Sequence, residues 1–278
     1  MKIGLHIRNS GPFTTRDLVR DCARIADANS AIDDLWVYDH IAIPPAESEG
    51  SEGYYLDPLA TLAFIAAVTE RVLIGTRVLI LPYRAPLPTA KWIASIQHLS
   101  GGRLQVGAGV GWMEAEFKAL GIDRSQRGRI TDETLAYINK CFDAEGDEIT
   151  TNGQTFLFRP RPIKPPIYVG GQPPHALRRA VQYGDGWAVP SGAPDELREP
   201  IAELRRLFDA AGKPAPEVLV RIKTSPAELG DANGLSAVAD RIKALADVGV
   251  TRVSLGVSYE TLDEFRAIVE QTAQLATP

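Results

Sequence analysis

The chain alternates eight short apolar runs with eight amphipathic stretches, and this rhythm restricts its fold more than any single motif does. Strand-like runs lie near residues 2–7, 35–38, 72–81, 104–108, 167–169, 186–189, 218–223 and 252–257. Helical periodicity marks 15–29, 58–69, 89–99, 132–144, 175–183, 194–211, 236–248 and 261–275. Such alternation calls for parallel strands joined by right-handed helical crossovers. At 278 residues, eight units close most naturally into a (β/α)8 TIM barrel, with an open doubly wound sheet as the alternative.

Local signals support these boundaries. Asp57-Pro58 sets an acidic N-cap before a first-position proline, and Gly212 follows a helix ending in Asp209-Ala210-Ala211. The rhythm breaks at about 146–166, where Asn152-Gly153 predicts a small hairpin followed by Pro160, Pro162, Pro165 and Pro166. This reads as an insertion before the fifth strand of one barrel domain spanning 1–278.

Composition narrows function by exclusion. The net charge is −5, and no basic run interleaved with aromatics is present, which argues against a nucleic-acid partner. Cys22 and Cys141 fall in separate helical stretches, as reduced core thiols would, and Met1 leads straight into an apolar strand. No apolar run reaches membrane-spanning length, so a cytoplasmic protein is expected. No Ser-His-Asp order, P-loop or Cys/His zinc spacing is visible, and no metal site is expected.

Three strand ends carry the chemistry-bearing residues. Leu35-Trp36-Val37-Tyr38 runs into Asp39-His40, an acid and an imidazole where α/β folds place their working groups. The fourth strand ends in Gly107-Ala108-Gly109-Val110-Gly111-Trp112, whose glycines let a ligand approach the backbone but do not match the dinucleotide fingerprint. The fifth ends in Gly170-Gly171-Gln172-Pro173-Pro174-His175, where a helix N-terminus opens at the barrel mouth and suits a phosphate. His6 on the first strand could face the interior, His98 looks structural, and His175 flanks the phosphate turn. Arg127 and Glu133 read as parts of a surface network that orders the insertion.

Taken together, these segments resemble the luciferase-like monooxygenase superfamily, and within it the oxidoreductases that use the deazaflavin coenzyme F420. The likeness runs through Tyr38-Asp39-His40, Gly75-Thr76-Arg77-Val78-Leu79, Pro82-Tyr83-Arg84, Gly102-Arg103-Leu104 and the strand-four glycines. It continues through Glu116-Phe117, Leu120-Gly121, Arg127-Gly128, Asp132-Glu133, Pro166 to Gly171 and Gly184-Asp185-Gly186-Trp187.

The resemblance implies a barrel with an insertion region and a flavin-type ring in its mouth. The ring edge would lie near Asp39 and His40 and the phosphate near Gly170, Gly171 and Gln172, with Arg77, Val78, Gly107, Ala108 and Gly109 completing the cofactor site. It also implies a non-proline cis peptide at Arg77-Val78. His40 would donate or accept the proton and Asp39 would orient the imidazole or bond the ring; imidazole suits the task because it titrates near neutral pH. His6, Trp112 and Trp187 would line the substrate pocket. A glutamate often follows the strand-four glycines in sugar-phosphate-oxidising relatives, but Trp112 stands there in this chain.

Cofactor choice decides between hydride transfer and oxygen chemistry. In luciferase-type flavin enzymes an arginine commonly takes the position of Val110, and serine and threonine hydroxyls follow strand five. This chain departs from both, so the resemblance favours F420-dependent hydride transfer to or from a small organic substrate. An FMN-dependent monooxygenase using reduced flavin and oxygen is the alternative, and a noncatalytic flavin-binding protein is a further one. A barrel lyase with Lys223 as Schiff-base residue is a more distant rival. A homodimer and a flavin or F420 reductase supplying reduced cofactor are the expected partners by family analogy.

Overall fold

The computed structural model describes residues 1–275. Its strands are β1 (Lys2–His6), β2 (Asp34–Val37), β3 (Leu73–Ile80), β4 (Leu104–Gly109), β5 (Glu148–Thr151), β6 (Gln154–Leu157), β7 (Ile167–Gly170), β8 (Gly186–Val189), β9 (Glu217–Lys223) and β10 (Arg252–Gly256). Eight of them close into a parallel barrel in the order β1-β10-β9-β8-β7-β4-β3-β2, and β5 and β6 form the separate hairpin. The closed barrel rules out the open sheet. The hairpin turn sits on Asn152 and Gly153, both with positive φ (51° and 76°), as its sequence requires.

The helices are α1 (Arg16–Ala28), α2 (Pro58–Ala66), α3 (Pro86–Leu99), α4 (Glu114–Ala119), α5 (Arg127–Asp143), α6 (His175–Tyr183), α7 (Pro194–Ala210), α8 (Pro226–Gly230), α9 (Ala232–Asp247) and α10 (Leu262–Leu275). Eight correspond to the expected crossovers. The short α4 and α8 are additions in loops after barrel strands, too brief to show a helical period in sequence. Asp57 caps α2 as expected, its Oδ1 accepting from the N–H groups of Leu59 and Ala60 at 2.9 and 3.0 Å.

Period-two alternation along each strand separates two cores. Outward residues such as Ile3, Leu5, Leu35, Val37, Val106, Ala108, Val169, Trp187 and Val189 pack under the helices in one large cluster. Inside the barrel Trp36, Tyr168, Ala188 and Leu219 form a smaller cluster, with Val78 packed against it. Beneath them Arg252 binds Asp34 and reaches Glu217 Oε2 at 3.2 Å, while the Tyr168 hydroxyl donates to that same oxygen at 2.7 Å. A buried ion pair, flanked by Glu217 and Tyr168 and with Arg252 Nε left without a partner, closes the floor of the barrel.

The strand register contains one irregularity that shapes the mouth. From Thr76 to Leu79 is three steps on β3, but the paired stretch Val106 to Ala108 is two on β4, so β3 carries an extra residue. The Arg77-Val78 peptide in that bulge is cis. The extra residue lets Arg77 and Val78 both reach the cavity at the barrel mouth.

Candidate active site

A cavity of about 370 Å3 opens at the carboxyl ends of β2, β3, β4 and β7. Val78 forms part of its floor, with Gly109, Gly170 and Gly171 beside it and His40 and Trp112 among its other lining residues. The glycines of β4 make room for the bulge itself. A Cβ on Gly107 would lie 2.2 Å from Thr76 O, and one on Gly109 would lie 2.3 Å from Val78 Cγ2. Absent side chains at 107 and 109 therefore allow Val78 to stand in the mouth.

His40 is fixed by a residue that the sequence did not single out for a role. Glu116, on α4 and fully buried, has its Oε2 3.1 Å from His40 Nδ1. The same oxygen accepts from the Tyr83 hydroxyl at 2.7 Å, and Oε1 accepts from the N–H groups of Ile41 and Ala42 at 2.5 and 3.1 Å. Burial pushes the Glu116 carboxyl up, but hydrogen bonds from His40, Ile41, Tyr83 and Ala42 outweigh it and bring it down to about 2. An ionised Glu116 can only accept, so Nδ1 carries a hydrogen. The tautomer follows: Nε2, which has no partner among the described residues, is the nitrogen that takes or gives a proton.

Asp39 does not orient this imidazole. Strand alternation turns its side chain away, and Arg84 grips both carboxylate oxygens at 2.6 and 2.9 Å while the Ile80 N–H donates at 2.8 Å. Arg84 also reaches Asp57 Oδ2 at 2.8 Å, so Asp39 ties the ends of β2 and β3 to the start of α2. Its backbone position still borders the cavity. Burial raises the Asp39 carboxyl and the Arg84 hydrogen bonds oppose that shift.

The other expected residues separate by face. Val78, Arg77, Gly109, Trp112, Gly170 and Gly171 line the cavity. Trp112 is exposed and meets His40 edge-on, centroids 6.0 Å apart. Gly107 and Ala108 lie below it, Gly107 under the bulge and Ala108 in the helix-facing core. Trp187 is no pocket wall: it faces the helices and is 1% exposed, and its Nε1–H donates to Gly171 O at 2.9 Å, bracing the turn from behind. His6 lies on a neighbouring cavity, stacked on Tyr38 at 4.5 Å.

A second cavity of about 370 Å3 adjoins the first through the shared Val110, Gly170 and Gly171. Gln172 and Pro173 in the turn before α6, and His175 and Ala176 at its start, line it together with Ser125, Arg127 and Arg179. Arg179 is held by Asp132 at 2.6 Å, while Arg127 has no carboxylate partner among the described residues and gives Nη1 to Arg124 O at 3.0 Å. The expected link between Arg127 and Glu133 is absent, because Glu133 pairs one turn away with Arg129 at 2.6 Å. From the sequence Arg127 reads as part of a surface network with only a distant prospect of ligand contact, and Arg179 is not singled out. A helix N-terminus with two guanidinium groups is the donor set that a phosphate monoester or diester needs. The joined cavities thus have Val78, Val110 and glycine backbone beside His40 at one end and the start of α6 with Arg127 and Arg179 at the other.

Comparisons with known proteins agree with the barrel fold. Residues 5–229 match the family described as luciferase-like monooxygenase. An uncharacterised protein of Mycobacterium tuberculosis is 33% identical over 208 residues, covering 73% of this chain and 68% of that one. The 5,10-methylenetetrahydromethanopterin reductase of Methanolobus tindarius is 28% identical over 201 residues, 70% of this chain and 57% of that protein. Among solved structures, an F420-dependent secondary alcohol dehydrogenase in complex with an F420-acetone adduct superposes with a TM-score of 0.78 at 17% identity, covering 100% of this chain and 99% of that one. A monooxygenase from Streptomyces bottropensis superposes with a TM-score of 0.77 at 21% identity over 99% and 98%. The barrel, its bulged third strand and the matched sequence make the chain a member of the luciferase-like monooxygenase family.

Proposed function

We propose that this protein is an F420-dependent oxidoreductase that transfers hydride between the deazaflavin and a small organic substrate. The observation that carries the reading is the His40–Glu116 pair beside the cavity lined by Val78 and Gly109, a proton-transfer device with its working nitrogen free. The choice of deazaflavin over FMN rests on Val110, an apolar residue on both cavities where flavin enzymes of this type commonly carry arginine, and on a phosphate turn of glycine, glutamine and proline without hydroxyls. When bound, F420 would supply a carbon centre that accepts or returns a hydride, one proton with two electrons.

The protein's own groups then have separable tasks. Arg127, Arg179 and the start of α6 would hold the phosphate, and Val78 and Gly109 would support the ring. As a hydride leaves a substrate carbinol carbon, His40 Nε2 takes the hydroxyl proton and the product is a carbonyl compound; in the reverse direction protonated His40 returns it. Glu116 keeps Nδ1 protonated in both directions and stabilises the imidazolium. Trp112 shields the rim.

Parallel titrations with oxidised F420 and with FMN, read by cofactor fluorescence, test the reading. F420 is expected to bind at least roughly tenfold more tightly, a difference of about 1.4 kcal/mol. His40→Ala should keep F420 affinity within about threefold while lowering turnover by roughly 10²- to 10⁴-fold. Tight FMN binding with none for F420 would overturn the proposal.

A further inference from the structure

Tyr38 lines the ring cavity and also a smaller cavity of about 140 Å3 beside it. Arg8, from the loop after β1, and Arg221 and Lys223, two residues apart on β9, converge on this second space with His6 and Ser258. Among the described residues, no carboxylate lies within ion-pair distance of Arg8, Arg221, Lys223 or the nearby Arg77. Arg84, Arg179 and Arg252, all well buried, each hold an acid. Glu264 acts on Arg8 only at longer range, its Oε2 being taken by the N–H groups of Glu260 and Thr261.

The cations are held in place rather than left loose. The Arg221 guanidinium lies over the Tyr38 ring at 5.2 Å. Gly256 gives it space, since a Cβ there would lie 2.5 Å from Arg221 Nε. Three buried nitrogens around this junction have no hydrogen-bond partner: Arg221 Nε, Arg77 Nε and His6 Nδ1. Burial, and then the charges of Arg77 and Arg221, hold His6 well below its ordinary range, so it adds no charge of its own at neutral pH. Like charges gathered in a half-buried space repel one another, and an anion placed among them removes that cost.

We propose that this cluster seats an oxyanion of the substrate, so that the reaction inferred above, on whose assignment this step rests, acts on a small organic carboxylate or phosphate ester. Arg8, Arg221 and Lys223 receive the charged group, and the carbon to be oxidised or reduced extends past Tyr38 into the ring cavity. Both anions present the same chemistry to a guanidinium, namely paired oxygens that accept two hydrogen bonds.

The four histidines provide the test, because each reports one place: His6 the cluster, His40 the ring cavity, His175 the phosphate turn and His98 the exposed surface of α3. Histidine-labelled protein is titrated with sodium acetate and, separately, sodium phosphate at fixed pH and constant ionic strength, and the ring signals are followed by NMR. The His6 signals should shift and saturate with acetate, with phosphate or with both, while those of His98 stay still; the anion that saturates at lower concentration identifies the source. Arg221→Gln should weaken saturation at least roughly tenfold, and the exposed Lys223→Gln provides the same reading should the first variant misfold. Unmoved His6 signals with both anions, or unchanged saturation in the folded variants, would overturn the proposal. F420 added to the same samples is read from His40 and His175, so failure of the cofactor reading is distinguished from failure of the anion seat.

Discussion

Glu116 governs the chemistry available to His40, and its charge can be tested without a substrate. Its carboxyl lies at about 2 in the folded protein against an ordinary 4.5, so the fold gains stability from the ionised form. That contribution, on the order of 3 kcal/mol, is complete above pH 4.5 and is lost as the pH falls towards 2. Urea midpoints measured across this window should fall more steeply for the wild type than for Glu116→Gln; parallel slopes would mean that the four hydrogen bonds do not hold the charge. His40 was readable from its place at a strand end, but its partner was not. The two residues are 76 positions apart, and Glu116 sits on a six-residue helix whose pattern carries no period. Of the two roles expected of Asp39, orienting the imidazole is not what the geometry shows, since its carboxylate is held by Arg84 and the Ile80 N–H and successive side chains leaving a strand point in opposite directions.

The elements that position the site are β3 with its bulge and β4 with its glycines. In sequence, Gly107, Gly109 and Gly170 looked like places for a ligand to approach; in the fold they first make room for Val78 and the displaced strand. The Gly109→Ala variant should therefore keep its barrel but shift the bulge. Its stability should fall by about 1–3 kcal/mol, as overpacking usually costs, and its F420 affinity by at least roughly tenfold. Wild-type affinity in a folded Gly109→Ala protein would show that the bulge does not shape the ring cavity. Strand positions were legible because fully buried parallel strands read as continuous apolar runs. Which way each residue faced was harder, since both faces of a barrel strand are buried. Trp187 illustrates this: its size suggested a pocket wall, yet its parity places it under the helices, where it steadies Gly171 through a hydrogen bond.

At the scale of the molecule, barrel closure brings together groups from distant parts of the chain. The first cavity draws on β2, β3, β4 and β7, its neighbour on the start of α5, the turn after β7 and α6, and the cationic cavity on β1, β9 and β10. The eightfold rhythm made the barrel legible, and the residues at its strand ends pointed to the mouth and to the turn before α6. Arg127, Arg8 and Arg221 could not be assigned that way, because their meaning depends on which carboxylates are absent around them in space, and Arg179 could not because its partner Asp132 lies 47 positions away. On the proposed reading the three adjoining cavities would serve as phosphate anchor, ring site and seat for the substrate's charge. The most direct measurement of that arrangement is a crystal structure of the protein grown with oxidised F420. The expected result is the deazaflavin ring against Val78 with its edge at His40 Nε2 and its phosphate among Arg127, Arg179 and the start of α6. A cofactor bound elsewhere, or a ring whose reactive edge faces away from His40, would contradict the account.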